Sequence, residues 1–226
     1  MLWLINGDKM QVTLLDYMGS DLTTVNAARV SFKKKSKWEV GDDESYDLSA
    51  KDTKLVNFLG REQHYAPYGH NFASFHIKAP IFVARQLVKH EYLRMSEVSR
   101  RYVDDPPEFY IPTVWRGKPV DKKQGSTGTV GNIHTEAIGI WCEDASKYYN
   151  QLIDSGVAPE MARMVLPLNT YTEWYWSGSL DAFSKMYNLR TGEGAQEETK
   201  EIALMIGKEL QEVYPHSWKA LTNASN

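Results

Sequence analysis

The sequence predicts an α+β fold in one domain covering residues 1–226. Segments that alternate apolar and polar residues read as strands. They stand apart from segments whose apolar residues recur at helical spacing, and that segregation argues for α+β. A chain that is 42% hydrophobic and 12% aromatic also has ample material for one sizeable core.

The elements follow in order. Met10 to Tyr17 alternates as a first strand, and Asp21 is placed to cap a helix over Leu22 to Val30. Lys33-Lys34-Lys35-Ser36-Lys37, with Asp42-Asp43-Glu44 after it, predicts an exposed loop; a nuclear signal or nucleic-acid patch is the alternative. Asp52 to Arg61 reads as a helix and Asn71 to Lys78 as a strand. Pro80 suits a first helical turn, so a helix is expected from Pro80 to about His90. It would carry Ile81, Ala84 and Val88 on one face and Arg85, Gln86 and Lys89 on another. Lys118 to Asn132, rich in Gly, Ser, Thr and Lys, predicts a mobile loop. Thr135 to Ser155 is a long helix ended near Gly156, and Pro159 starts a short helix carrying Arg163 that Pro167 stops. Leu168 to Ser177 favours a strand. Leu180 to Arg190 and Ala195 to Val213 are helical, the second with Ile202, Met205, Ile206, Leu210 and Val213 on one packing face. The spacing of Glu197 and Glu198 reads as a solvated helix face.

Charge and composition narrow the function. A net charge of -3 gives no general reason to expect nucleic-acid binding. No apolar run approaches the roughly 18 residues of a membrane span. The first residues, MLWLINGDKM, lack a basic stretch ahead of the apolar ones, so no secretory signal is expected and the protein is placed in the cytoplasm. No His, Cys or carboxylate spacing suggests a metal site. The single cysteine, Cys142, excludes an intrachain disulfide. It lies in a helical stretch with no proline, nucleophile elbow or adjacent histidine, and reads as a packing residue rather than a nucleophile.

Chemistry concentrates in Arg85 to Tyr102, RQLVKHEYLRMSEVSRRY. These 18 residues hold five Arg or Lys, a histidine, two glutamates and two serines. Such density directly after an apolar run points to a site. Alternation over Glu97 to Arg101 suits an extended loop that points Glu97, Ser99 and Arg101 to one side. Guanidinium forks beside a hydroxyl suit a phosphate. Two further arginines invite a role. Arg163 sits among Met161, Ala162, Met164 and Val165, as either a solvent-facing group or an anion ligand. Arg190 ends a helix, where a cation is favourable in any case.

The same stretch resembles the signature of the flavin-dependent thymidylate synthases, Arg-His-Arg, seven residues, then Ser. Here it reads Lys89-His90-Glu91, seven residues, Ser99, within Ser96-Glu97-Val98-Ser99-Arg100-Arg101-Tyr102. Asn26 to Phe32, Phe75 to Pro80, Glu108 to Pro112, Ala162 to Leu168 and Asn188-Leu189-Arg190 resemble further family segments in the family order, over residues 11 to 222.

The resemblance implies the family fold, a central mixed or antiparallel sheet with flanking helices. It implies transfer of a methylene from methylenetetrahydrofolate to C5 of dUMP, reduced by FADH2 that NADPH regenerates from FAD. Gln86, Lys89, Glu97, Ser99, Arg100, Arg101, Arg163 and Arg190 would hold dUMP, with Arg190 as the catalytic group that activates the base. His64, Lys89, His90, Glu91, Glu97 and Lys185 would contact FAD. The family builds its sites between subunits, so a homotetramer is implied, with no nucleic-acid or membrane partner.

Several positions depart from the family pattern. Lys89 and Glu91 replace signature arginines, Ser96 replaces an asparagine, and Lys185 stands where relatives have an asparagine that touches the flavin. Arg94 and Lys185 are candidates to restore the lost positive charge. A relative making another C5-modified pyrimidine nucleotide, a flavin-free nucleotide-binding pseudoenzyme and a nucleic-acid binder using Arg94, Arg100 and Arg101 remain the alternatives.

Overall fold

The computed structural model describes residues 10–42 and 44–223. The expectation about the leader falls on residues 1–9, and Asp43 of the acidic run is also outside the described residues. In chain order the main elements are β1 (Gln11–Met18), α1 (Asp21–Arg29), β2 (Glu39–Val40), β3 (Tyr46–Asp47), α2 (Ala50–Arg61), β4 (Phe72–Pro80), α3 (Ile81–Leu87) and β5 (Leu93–Glu97). They continue with β6 (Trp115–Gly117), β7 (Thr127–Gly131), α4 (Thr135–Asp154), α5 (Pro159–Ala162), β8 (Tyr171–Ser179), α6 (Leu180–Thr191), α7 (Glu197–Val213) and α8 (Pro215–Thr222). The α+β expectation holds, and the central four-stranded sheet, β1-β4-β8-β5, is antiparallel at every pairing.

Period-two alternation gives the sheet two different faces. Phe75 pairs with Trp176 and Ile77 with Trp174, and all four are fully buried. Helix α6 lays Phe183 edge-on against Phe75 and Trp176, with ring centroids 5.2 and 5.5 Å apart. Pairs of this kind contribute roughly 0.5–1.5 kcal/mol beyond their area burial. The opposite face carries His76, Tyr175 and Ser96 in register. Tyr175 is 57% exposed, so this face is open in the single chain. The predicted stripe on α7 is core: Ile202, Ile206 and Leu210 are fully buried, with Met205 and Val213 packed alongside. Gly156 closes α4 at φ +80, a conformation that glycine adopts without strain.

The structure corrects several element readings. Ser20 caps α1 rather than Asp21, in a reciprocal capping box with Thr23. Buried Asp21 instead accepts the backbone N–H groups of His216 and Ser217 at 3.0 and 2.7 Å, and so serves the first turn of α8. The helix after Pro80 ends at Leu87, because a tight turn follows in which Tyr92 takes φ +64. Beyond that turn the chain enters β5, which the sequence reading missed. Residues 97–101 are not continuously extended: Glu97 ends β5, and the Tyr102 N–H closes a turn onto the Ser99 carbonyl at 3.0 Å. The predicted mobile loop at 118–132 contains β7, which pairs with β6 as a two-stranded hairpin. Among the described residues no helix is long and apolar enough to cross a membrane.

Candidate active site

Two openings collect most of the chemistry-bearing side chains, and no residue lines both. The larger is a cleft of about 650 Å³ lined by Arg85, Glu97, Ser99, Arg100 and Arg163, among others. Sheet register builds one wall. Glu97 lies opposite Trp174 at the end of β5, and its carboxylate accepts from the Thr172 hydroxyl at 2.8 Å. The Ser99 turn then carries Arg100 over Tyr149, with the guanidinium donating to the Asp105 carbonyl at 2.8 Å. Arg163 comes from the turn after α5, where its Nε donates to the Glu160 carbonyl at 3.2 Å. Arg85 and Arg163 have no carboxylate partner among the described residues. Two un-neutralised guanidiniums and a hydroxyl facing one cleft suit an anionic ligand such as a phosphate.

The smaller opening, about 460 Å³, is lined by Gln86, Arg116, Arg190 and Gln196 with residues of the hairpin and the α6–α7 turn. Arg190 arrives there because it continues the buried face of α6: Phe183, Met186 and Arg190 are three and four residues apart, and the first two are fully buried. The half-buried guanidinium donates from Nε to His90 Nε2 at 2.9 Å, to the Gln86 carbonyl at 2.9 Å and, at a long 3.5 Å, to Gln86 Oε1. Burial, reinforced by the adjacent guanidinium, pushes His90 down to about 4. His90 is therefore neutral near neutral pH and accepts the hydrogen bond. Burial also lowers the pKa of Arg190, but from so high a starting value that it stays charged. Every acceptor holding it is uncharged, so its positive charge remains available to a ligand.

The family model named Thy1, described as "Thymidylate synthase complementing protein", matches residues 13–216. This chain belongs to the Thy1 family. It is 39% identical over 213 residues to a flavin-dependent thymidylate synthase of Thermotoga neapolitana, covering 94% of this chain and 91% of the relative. The flavin-dependent thymidylate synthase of Thermus thermophilus is 38% identical over 216 residues, 94% of this chain and 76% of the relative. Among solved structures, the UMP/dUMP methylase PolB from Streptomyces cacaoi, bound with 5-Br dUMP, superposes with a TM-score of 0.81 at 30% identity over 95% of both chains.

Against that family background, the predicted residues of this Thy1 chain separate into groups. Glu97, Ser99, Arg100 and Arg163 share the larger cleft, while Gln86, His90 and Arg190 meet at the smaller. Arg101 does not line the cleft, because the Ser99 turn sends it to Glu160 at 3.6 Å. Arg85 and Gln86 were expected on one helix face, yet they line different openings. Lys89, Glu91 and Arg94 are exposed around the turn into β5, and His64 is exposed beside Phe58. Lys185 lies over Tyr65 at 4.6 Å and pairs with Asp181 at 3.3 Å, so much of its charge is already answered.

The reading of Glu198 as solvated is wrong. Glu198 is 5% exposed and receives two hydrogen bonds from Arg116 at 2.6 and 2.8 Å. Burial opposes its charge, but the bonds from Arg116 and Gln196 hold its pKa below the usual carboxylate value. The signal was present in the sequence: Glu198 stands four residues before Ile202, on the stripe continued by Ile206 and Leu210. Arg116 and Gln196 were missed as site residues as well, and Arg85, within the stretch read as a site, was given no ligand role. Cys142 matches its reading as a packing residue. It is fully buried, and burial pushes its thiol up against an opposing hydrogen bond from Asn169 at 3.3 Å.

Proposed function

We propose that this chain is a flavin-dependent thymidylate synthase that converts dUMP to dTMP, with methylenetetrahydrofolate as carbon donor and NADPH as reductant of FAD. The observation that carries the reading is the pair of guanidiniums without a carboxylate partner among the described residues, Arg85 and Arg163, beside Ser99 in the larger cleft. They would take the 5′-phosphate, with Glu97 and Arg100 alongside; Lys89 and Arg101 complete the set of nucleotide ligands. Arg190, with Gln86, would face the uracil ring. A fixed cation there favours the N3-deprotonated base and raises electron density at C5, where carbon is added. The only cysteine is buried with a raised pKa, so the chain offers no activated thiolate for attack at C6, which suits a flavin route.

The exposed donors fit FAD in chemistry. Lys89 and Arg94 are cations without ion-pair partners among the described residues, and they can face a pyrophosphate. His64, His90, Glu97 and Lys185 complete the set, and Glu91 would have to turn its charge to solvent. When bound and reduced, the flavin supplies the hydride that completes the methyl group. Sites assembled between the subunits of a homotetramer account for ligands that a single chain distributes over two openings, and for the open sheet face around Tyr175.

The test is product analysis by mass after incubation with FAD, NADPH, methylenetetrahydrofolate and either dUMP or UMP. Formation of dTMP supports the reading. A hydroxymethyl product would move the chain to a different C5 chemistry. Binding of dUMP with no flavin uptake and no turnover would leave a nucleotide-binding pseudoenzyme.

A further inference from the structure

Glu198 lies two residues from Gln196 in sequence, and the two sit at the end of a side-chain chain that leads to Arg190. The Gln196 amide nitrogen donates to Glu198 Oε2 at 3.0 Å. The Gln86 amide nitrogen donates to Gln196 Oε1, which leaves Gln86 Oε1 facing Arg190. The two ends of this chain have fixed polarity. An ionised carboxylate can only accept and a guanidinium can only donate. Between an acceptor-only end and a donor-only end, two amides have one orientation that satisfies every link. Reversing either amide would set N–H against N–H or oxygen against oxygen.

We propose that Glu198 is a positioning residue: through Gln196 it fixes the amide of Gln86 with its oxygen toward Arg190, so the guanidinium is oriented without being neutralised. This rests on the reading of Arg190 as the group that faces the uracil ring. A carboxylate placed directly against Arg190 would orient it equally well but cancel the charge that the reaction uses. Two interposed amides transmit the orientation and keep the anion at a distance. The negative charge of Glu198 is answered by Arg116, whose Nη2 donates to both carboxylate oxygens and whose Nε donates to the Ser126 hydroxyl at 2.8 Å. The hairpin that carries Arg116 and Ser126 thereby braces the carboxylate end of the chain.

Three variants separate this role from a merely structural one. Gln196→Met removes both relay bonds with little loss of volume. Glu198→Gln abolishes the acceptor-only end, and Ile206→Val trims the buried core stripe of α7 without touching the relay. The positioning role predicts about a tenfold fall in kcat for Gln196→Met and Glu198→Gln, with the KM for dUMP changed less than threefold. Ile206→Val should lose less than threefold in kcat even where its Tm falls as far as that of Glu198→Gln. The side-chain amide resonances of Gln86, followed by 15N NMR, should move in the first two variants and stay in the third. Losses that track Tm across all three, with Gln196→Met nearly silent, would overturn the proposal. So would Gln86 resonances unmoved by Gln196→Met. The NMR measurement needs no turnover, so it decides the relay even if the wild-type protein proves inactive on dUMP. Inactivity would count against the proposed function alone.

Discussion

The two openings of this molecule are built in opposite ways. The larger cleft takes its cations from a turn, a short helix and a surface arginine, and leaves Arg85 and Arg163 without carboxylate partners. The smaller is a half-buried network in which Arg190 has three hydrogen-bond contacts and its neighbours are themselves tied to buried Glu198. Free charge suits capture of a mobile anion, because nothing has to be broken before it binds. A braced cation suits chemistry, because its position is fixed before the reacting charge develops. Under the proposed function, one region would bind and the other would hold still.

Breaking the braced region should give the largest effect. Arg190→Met is expected to lower kcat by roughly 10²–10³-fold, as for loss of one fixed charge-stabilising donor, with the KM for dUMP changed much less. Steady-state kinetics checks that split. The free region should show the reverse pattern. Arg85→Met with Arg163→Met removes two charge-assisted hydrogen-bond donors, each worth roughly 1.5–3 kcal/mol. The combined loss of dUMP affinity should be at least about a hundredfold, with the remaining kcat at saturation close to wild type.

A third prediction concerns the strand that carries the free region. Gly178 of β8 lies where a Cβ would meet Leu93 Cδ2 at 2.4 Å and the Tyr92 carbonyl oxygen at 2.9 Å. Gly178→Ala must therefore push β5 outward, at roughly 1–3 kcal/mol for overpacking. Urea denaturation should show that loss. The smallest effect is a pH slope in the braced region. The His90 pKa is about 4 in the folded chain, against an ordinary value of 6.5. The unfolded chain takes up that proton first, so stability should fall as pH drops from about 6.5 toward 4. Denaturation midpoints of wild type and His90→Gln should converge over that window, because glutamine has no proton to gain.

Much of the fold was legible because periodicity reports burial. The strands around Phe75 and Trp176 and the α7 stripe of Ile202, Ile206 and Leu210 are read directly from spacing. Strand β5 was not legible, because it is only five residues long, Leu93-Arg94-Met95-Ser96-Glu97, and the charged Glu97 falls on the same face as Leu93 and Met95. Its start also depends on Tyr92 taking a left-handed conformation that no local signal announces. Site residues divided similarly. Arg163, Glu97 and Ser99 were picked out from their residue types. Glu198 was misread because a glutamate beside another glutamate at a helix start looks solvated until its partner, Arg116, is brought in from 82 residues away. Such pairing is a tertiary fact. Asp21 shows the same limit: its type suggested a helix cap, and it caps a helix far along the chain instead.

The most direct test of the account is calorimetric titration of dUMP, and of deoxyuridine without the phosphate, into wild type, the Arg85→Met/Arg163→Met double variant and Arg190→Met. The account predicts that wild type and Arg190→Met bind dUMP with affinities within about tenfold of each other, that the double variant loses at least about a hundredfold, and that deoxyuridine binds all three equally weakly. Equal dUMP binding by wild type and the double variant would contradict the division between a binding region and a braced region.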